Sequence, residues 1–351
     1  MEFTFSEEQR MSAEVTRQLF ADQCTPAALR QLITSGAVRN ESLWRAIADT
    51  GLTAVLVPES CGGLRLHEID FVLIAEACGY VALSEPLVEH AGISAPLLAA
   101  TGANPILCKA AAAGKATLAV GHSINPFVAD ADTATAVLME HDGEVHLLEP
   151  RKVQLTREQS IDPFRRLFRI DWKASTATRI ADAASGVSLW KDALDRGALF
   201  TAAQCLGIAQ RAVDLAVAYA KERKQFGKPI GSYQAVKHLL ASVQVKIEFV
   251  RPVVVAAAAE FVARDAMSRG RISHAKIVAA EAADLAVRTA LQVHGAMGYS
   301  WEVDVHFFVK RALALTYAWG GPSFHRTRVA ARIFQHPIGP EHTFSREHHH
   351  A

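Results

Sequence analysis

Two apolar-periodic segments flank a short charged stretch, and this arrangement limits the possible folds more than any other feature of the chain. Ile208, Ala212, Leu215 and Tyr219 recur at helical spacing before it, and Val236, Leu240, Val243, Ile247 and Val250 do so after it. Between them runs Glu222-Arg223-Lys224-Gln225-Phe226-Gly227-Lys228-Pro229-Ile230, then Ser232-Tyr233-Gln234-Ala235. Two long helices are therefore joined by a cationic loop with one aromatic ring and one glycine. Arg223 can pair with a phosphate, Phe226 offers a flat face, and Gly227 lets the chain turn where a side chain would intrude. A loop of this composition suits a nucleotide.

A second stretch points the same way. Gln292-Val293-His294-Gly295-Ala296-Met297-Gly298-Tyr299 follows a long Ala-rich helical segment. Gly295 is placed to end that helix, and two glycines three apart let backbone amides approach an anion. Each motif alone is weak, because an Arg-Lys pair between helices is usually a solvated surface and a glycine after a helix is usually a cap. Their occurrence together, in this order, is more specific.

The rest of the chain supplies a frame for these loops. A length of 351 residues exceeds what one hydrophobic core usually serves, so two or three domains are expected. Residues 1–114 read as helices joined by turns, with a capping signature at Ser6-Glu7-Glu8-Gln9 and a breaker at Gly102-Ala103-Asn104-Pro105. Residues 115–183 change to short strands: two apolar runs flank Asp142-Gly143, a hairpin signal, and residues 167–172 alternate apolar and polar. Residues 184–336 read as four or five helices, with Pro252 expected to kink or divide the second. Residues 337–351 form a tail ending Glu347-His348-His349-His350-Ala351, whose adjacent histidines cannot easily face one ion. The fold class is mainly α with a small central β domain.

Charge and cysteine usage narrow the function. A formal net charge of +1, without a long run of one sign, argues against a nucleic-acid partner. The five scattered cysteines lack metal spacing and read as reduced thiols, which suggests a cytoplasmic protein. No metal site is expected. The N-terminus lacks a signal pattern, and no apolar run reaches the roughly 18 residues of a membrane span.

Taken together, the two loops resemble those of the acyl-CoA dehydrogenase family. The resemblance extends to residues 57–64 (Val-Pro-Glu-Ser-Cys-Gly-Gly-Leu), to the helix that follows them at 69–79, and to Ser160-Ile161-Asp162-Pro163-Phe164-Arg165-Arg166-Leu167. It implies a helical domain, a β-barrel domain and a C-terminal helical bundle. It also implies FAD as cofactor, an acyl-CoA substrate and an electron-transfer flavoprotein as electron acceptor. By the same resemblance, Arg223, Gln225, Phe226, Gln234, Gln292, Gly295 and Gly298 would hold the ADP half of an FAD whose ring lies in a neighbouring subunit.

The family's other half-site is missing. Its base is a glutamate before the last long helix, but here the matching stretch is Tyr317-Ala318-Trp319-Gly320-Gly321-Pro322-Ser323, with no carboxylate. A second family position for the base falls at Gly197. Asp195 lies two residues away, about 200° round a helix, and reads most simply as a surface charge. The flavin-ring segment is replaced by residues 122–130, which lack its glycine and serine donors; Trp172 and Trp190 read as core residues. No catalytic residue is assigned. The pattern resembles the base-lacking chain of actinobacterial α2β2 acyl-CoA dehydrogenases acting on sterol side chains, which implies a base-bearing partner subunit in a heterotetramer and a steroid side-chain or other bulky acyl-CoA as substrate. Two alternatives stay open: a self-sufficient homomer with an atypical base such as Asp195, and a non-catalytic binding or scaffold protein.

Overall fold

The computed structural model describes residues 4–335; the histidine-bearing tail lies outside them. Six helices come first: α1 (Glu7–Gln23), α2 (Pro26–Ser35), α3 (Glu41–Asp49), α4 (Glu68–Tyr80), α5 (Ala95–Thr101) and α6 (Pro105–Ala112). The Ser6 side chain accepts the Gln9 amide and the Gln9 side chain accepts the Ser6 amide, so α1 starts on a capping box. α5 continues from a π-helical stretch over Val88–Ser94, and Gly102 and Asn104 separate it from α6.

Seven strands follow: β1 (Leu118–Gly121), β2 (Val128–Ala129), β3 (Ala136–His141), β4 (Glu144–Leu148), β5 (Gln154–Glu158), β6 (Leu167–Asp171) and β7 (Arg179–Ala181). They form two small sheets, ordered β1-β3-β4-β7 and β2-β6-β5, with β1 and β3 parallel and every other pair antiparallel. Asp142 and Gly143, both at positive φ, make the two-residue turn between β3 and β4. Val128, Val137, Leu148 and Phe168 pack between the sheets.

The remaining helices are α7 (Ala183–Glu222), α8 (Gln234–Ala259), α9 (Ala266–His294), α10 (Val305–Tyr317) and α11 (Pro322–Gln335), with a minimal hairpin, β8 (Lys224–Gln225) and β9 (Lys228–Pro229), between α7 and α8. α7 is the spine. At 40 residues it is about 60 Å long, and it packs on α4, α8 and α9. Its crossing with α4 is close because neither helix carries a side chain there: a Cβ on Gly79 would overlap the Gln204 carbonyl, and one on Gly207 would overlap the Glu76 carbonyl. Trp190 is buried and donates its indole N–H to the Glu144 carbonyl, tying α7 to the strands, while Trp172 packs at the edge of the inter-sheet core.

Of the kink or division expected at Pro252, division does not occur: α8 runs through it. Its ring is on the exposed side of the helix, so the carbonyl it leaves without a partner one turn earlier can be solvated. Among the described residues no helix is long and apolar enough to cross a membrane.

Candidate cofactor and active-site region

α7 and α9 run in the same direction, with α8 returning between them, so both sequence-predicted loops emerge at one end of the bundle. Tyr219 of α7 and His294 of α9 stack there, ring centroids 4.2 Å apart. Arg223 caps α7, its amide donating to the Tyr219 carbonyl, and its side chain makes no ion pair among the described residues. The chain then turns through Phe226 and Gly227, both in the left-handed region at φ 51° and 79°. A two-residue turn with both φ positive matches the twist of a hairpin, and glycine adopts it without cost. A bulky residue does so at a cost, and burial among the described residues does little to repay it: Phe226 is 92% exposed. The hairpin is braced from behind. The Tyr233 hydroxyl donates to the Gln225 carbonyl at 3.2 Å, and the Lys228 ammonium lies 4.3 Å over the Tyr233 ring.

Gln234 opens α8 and is exposed, as are Gln225, Gln292 and Gly295. Gly295 ends α9 at φ 61°. Gly298 differs from the other predicted residues: it is buried against Leu291 and His294, so its lack of a side chain serves packing of the turn on α9. Tyr299 beside it is 81% exposed. The result is an outward-facing set of one unpaired guanidinium, aromatic faces, side-chain amides and a helix-ending glycine.

About two-thirds of α7 away from these loops, the two positions at which the family places its base meet each other. Gly197 faces the 317–321 turn, and a Cβ there would fall within 2.6 Å of three atoms of the Trp319 indole. Trp319 is 2% exposed, and its ring occupies the space that either carboxylate would need. The turn that carries it is tightly held. Trp319 sits at φ 57° and Gly320 at φ 101°. The Trp319 amide donates to Asn125 Oδ1 at 2.8 Å, and His325 Nε2 donates to the Trp319 carbonyl at 2.9 Å, with His325 Nδ1 3.2 Å from Ser273 Oγ. Beneath it the buried Lys276 ammonium donates to the Leu315 and Thr316 carbonyls at the end of α10. Burial pushes Lys276 down to about 8 and His325 down to about 4. Sequence reasoning passed over both Trp319 and Asn125; the one signal was an aromatic residue immediately after the missing carboxylate position.

Asp195 is not the surface charge expected from sequence. It is buried between two guanidiniums, Arg269 and Arg328, the latter at 2.6 Å. Burial pushes its carboxyl up against the pull of Arg328 and Arg269. Its oxygens are committed to those ion pairs, and a carboxylate held in this way cross-links α7, α9 and α11.

Comparison with known proteins settles the lineage. Residues 6–105 match the N-terminal domain of acyl-CoA dehydrogenases and residues 184–334 match the C-terminal domain. The acyl-CoA dehydrogenase IpdE2 of Mycobacterium tuberculosis is 30% identical over 333 residues, covering 94% of this chain and 99% of IpdE2. The chain belongs to the acyl-CoA dehydrogenase family. The ChsE4-ChsE5 complex from Mycobacterium tuberculosis contains a chain that superposes with a TM-score of 0.82 at 25% identity, covering 96% of this chain and 100% of that one. The Tcur3481-Tcur3483 steroid acyl-CoA dehydrogenase, as a G363A variant, has the same fold, with a TM-score of 0.83 at 24% identity over 94% of this chain and 98% of that one.

FAD is the cofactor of this family, and the two halves of this acyl-CoA dehydrogenase chain fit it unequally. The end of the bundle bearing Arg223, Phe226 and Gly295 has the chemistry for a pyrophosphate and an adenine. The β-domain does not match the ring. Residues 122–125 close on themselves through a His122–Asn125 bridge, beside a cavity of about 540 Å³ lined by Gly121, His122, Met139, Glu140 and Arg169. The His122 ring packs 5.4 Å from Trp190 and 6.2 Å from Trp319, so it belongs to the wall that closes the base position. Asp162 of the family-like Asp-Pro segment has a structural partner: it is buried against Arg311, which also donates to the Leu83 carbonyl.

Proposed function

We propose that this chain is the base-lacking subunit of a heteromeric FAD-dependent acyl-CoA dehydrogenase. It supplies the ADP half-site to an FAD whose ring and base belong to a partner subunit, and it makes no proton transfer of its own. The observation that carries this reading is the indole of Trp319 in the space of the base, in a chain that keeps its cofactor-type loops on the outside. The relatives support it: IpdE2 is an acyl-CoA dehydrogenase of nearly the same length, and the similar solved structure is of the ChsE4-ChsE5 complex. The substrate class follows from the Tcur3481-Tcur3483 steroid enzyme only as an expectation, a steroid side-chain or other bulky acyl-CoA thioester.

Within that assembly the flavin, when bound, supplies the acceptor for a hydride from the substrate's β carbon. This chain's residues bind and orient. Arg223 pairs with the pyrophosphate, Phe226 stacks on the adenine, and Gln225, Gln234 and Gln292 fix the polar edges around the Gly295 turn. Trp319 keeps a second thioester out of this chain's own pocket. Proton removal from the substrate's α carbon falls to a carboxylate of the partner, and an electron-transfer flavoprotein takes the electrons away. A homomer using Asp195 is disfavoured because that carboxylate already joins Arg269 and Arg328. A DNA-binding scaffold is disfavoured by the net charge of +1.

The test is Arg223→Ala in the complex with the base-bearing chain. Losing a charge-assisted hydrogen bond costs about 1.5–3 kcal/mol, so FAD retention should fall roughly tenfold or more. Unchanged flavin occupancy in a folded Arg223→Ala complex would remove the assignment.

A further inference from the structure

A cavity of about 600 Å³ opens between α1 and α2 on one side and α4, α7 and α10 on the other. It shares no residue with the loops at Arg223 and Gly295 or with the Trp319 turn. Its position on α7 is about 20 Å along the helix from Gly197 and about 18 Å from Arg223. Phe20, Leu29, Leu73, Phe307 and Phe308 make an apolar lining, and the volume falls in the range that holds an organic molecule.

The charged groups at its rim are almost all committed. Arg251 is paired with Glu76, and Arg17 lies 2.7 Å from Glu14. Asp214 accepts from the Tyr80 hydroxyl at 2.8 Å and from Gln210 at 3.0 Å. Arg211 is the exception. Its guanidinium lies 5.3 Å from the Tyr80 ring centroid and 6.0 Å from that of Phe308, hydrogen-bonds the Tyr80 hydroxyl, and forms no ion pair among the described residues. The two rings hold the guanidinium in place, and the Tyr80 hydroxyl takes one of its five donors, which leaves the others for a planar anion. One cation outside any ion pair among the described residues, with Glu76 and Asp214 close by, suits a single negative charge and disfavours a dianion.

We propose that this cavity binds an amphipathic monocarboxylate, its acid on Arg211 and its apolar body against Phe20, Leu73 and Phe307. The site is separate from the one that would hold FAD, and the proposal does not depend on the subunit reading.

The test uses the full chain, alone and with its partner, and the fluorescent fatty acid 11-(dansylamino)undecanoic acid beside its methyl ester. The expected result is one saturable site per chain. Arg211→Met should weaken the acid about tenfold or more and leave the ester unchanged. Ala21→Trp fills the mouth from an exposed position on α1 and should abolish binding of both probes while the thermal midpoint holds. FAD occupancy of the complex should be the same in both variants, which separates this site from the cofactor loops. Three results would overturn the proposal: no saturable binding, binding insensitive to Ala21→Trp, or equal losses of acid and ester in Arg211→Met.

Discussion

Replacing Phe226 by Asn should move stability and cofactor retention in opposite directions. The ring is 92% exposed, so at roughly 200 Å² of side-chain surface the fold buries only about 16 Å² of it, worth about 0.4 kcal/mol. Against that, a non-glycine residue at φ 51° costs roughly 1–2 kcal/mol, and Asn tolerates the left-handed region better than Phe. The isolated chain should therefore hold or gain stability, by roughly half a kcal/mol, read as a thermal midpoint unchanged or a degree or two higher. In the complex the same substitution removes a stacking face, worth about 1–3 kcal/mol per base, so FAD should dissociate roughly 5- to 150-fold more readily. Thermal melts of the isolated chain and flavin dissociation from the complex measure the two effects. A Phe226→Asn chain destabilised by more than about 1 kcal/mol would show that the ring has a role within this fold, and unchanged flavin dissociation would refute the stacking argument.

Asp195→Asn strips the charge from a buried cluster with two arginines, so stability should fall by about 3–5 kcal/mol; a complex that melts normally but has lost turnover would instead make Asp195 a base. Gly197→Glu restores a carboxylate at a family position, yet it must displace the Trp319 indole, and overpacking of this kind costs about 1–3 kcal/mol; an isolated Gly197→Glu chain that gains dehydrogenase activity would show that the pocket opens readily. Acid lability should come from the buried His325 and from His90, whose Nδ1 accepts the Leu118 amide while Nε2 donates to the Ala111 carbonyl, a buried arrangement open only to the neutral ring. Burial pushes His90 down to about 4 from the ordinary 6.5. The unfolded chain then binds the extra proton across that window, so the histidine's own contribution is complete above about pH 6.5 and falls by about 3 kcal/mol as pH drops toward 4. Asp130, pushed up to about 7 by burial, works in the opposite sense over the same window, so Asp130→Asn should steepen the acid limb. A thermal midpoint flat from pH 7 to 5 in Asp130→Asn would contradict both assignments.

The parts of this molecule legible from sequence are those fixed by local chemistry. The Ser6–Gln9 capping box, the Gly102–Asn104 break and the Asp142-Gly143 turn each depend on a few adjacent residues, and each is present. The relation between the two loops was only partly legible. Their sequence order hinted at one site, but the stacking of Tyr219 on His294 depends on how α7 and α9 pack. Asp195 was misread because its two arginines lie on α9 and α11, far along the chain, and an isolated aspartate on a helix looks solvated. The effect of Pro252 was open from sequence between a kink and a break, because the cost of proline in a helix depends on whether the freed carbonyl meets water. The role of Trp319 needed three elements at once: the Gly197 surface of α7, Asn125 from the β region and His325 from α11.

As the proposed subunit, this chain completes a site it cannot form alone. Flavin-to-protein ratio and acyl-CoA-dependent acceptor reduction, measured first on the purified chain and then after addition of its base-bearing partner, test it most directly. The purified chain should be nearly colourless and inactive, with yellow colour and turnover appearing only in the mixture, because a homomer would repeat the same missing base and ring donors at every interface. Stoichiometric FAD and full turnover by the isolated chain would contradict it.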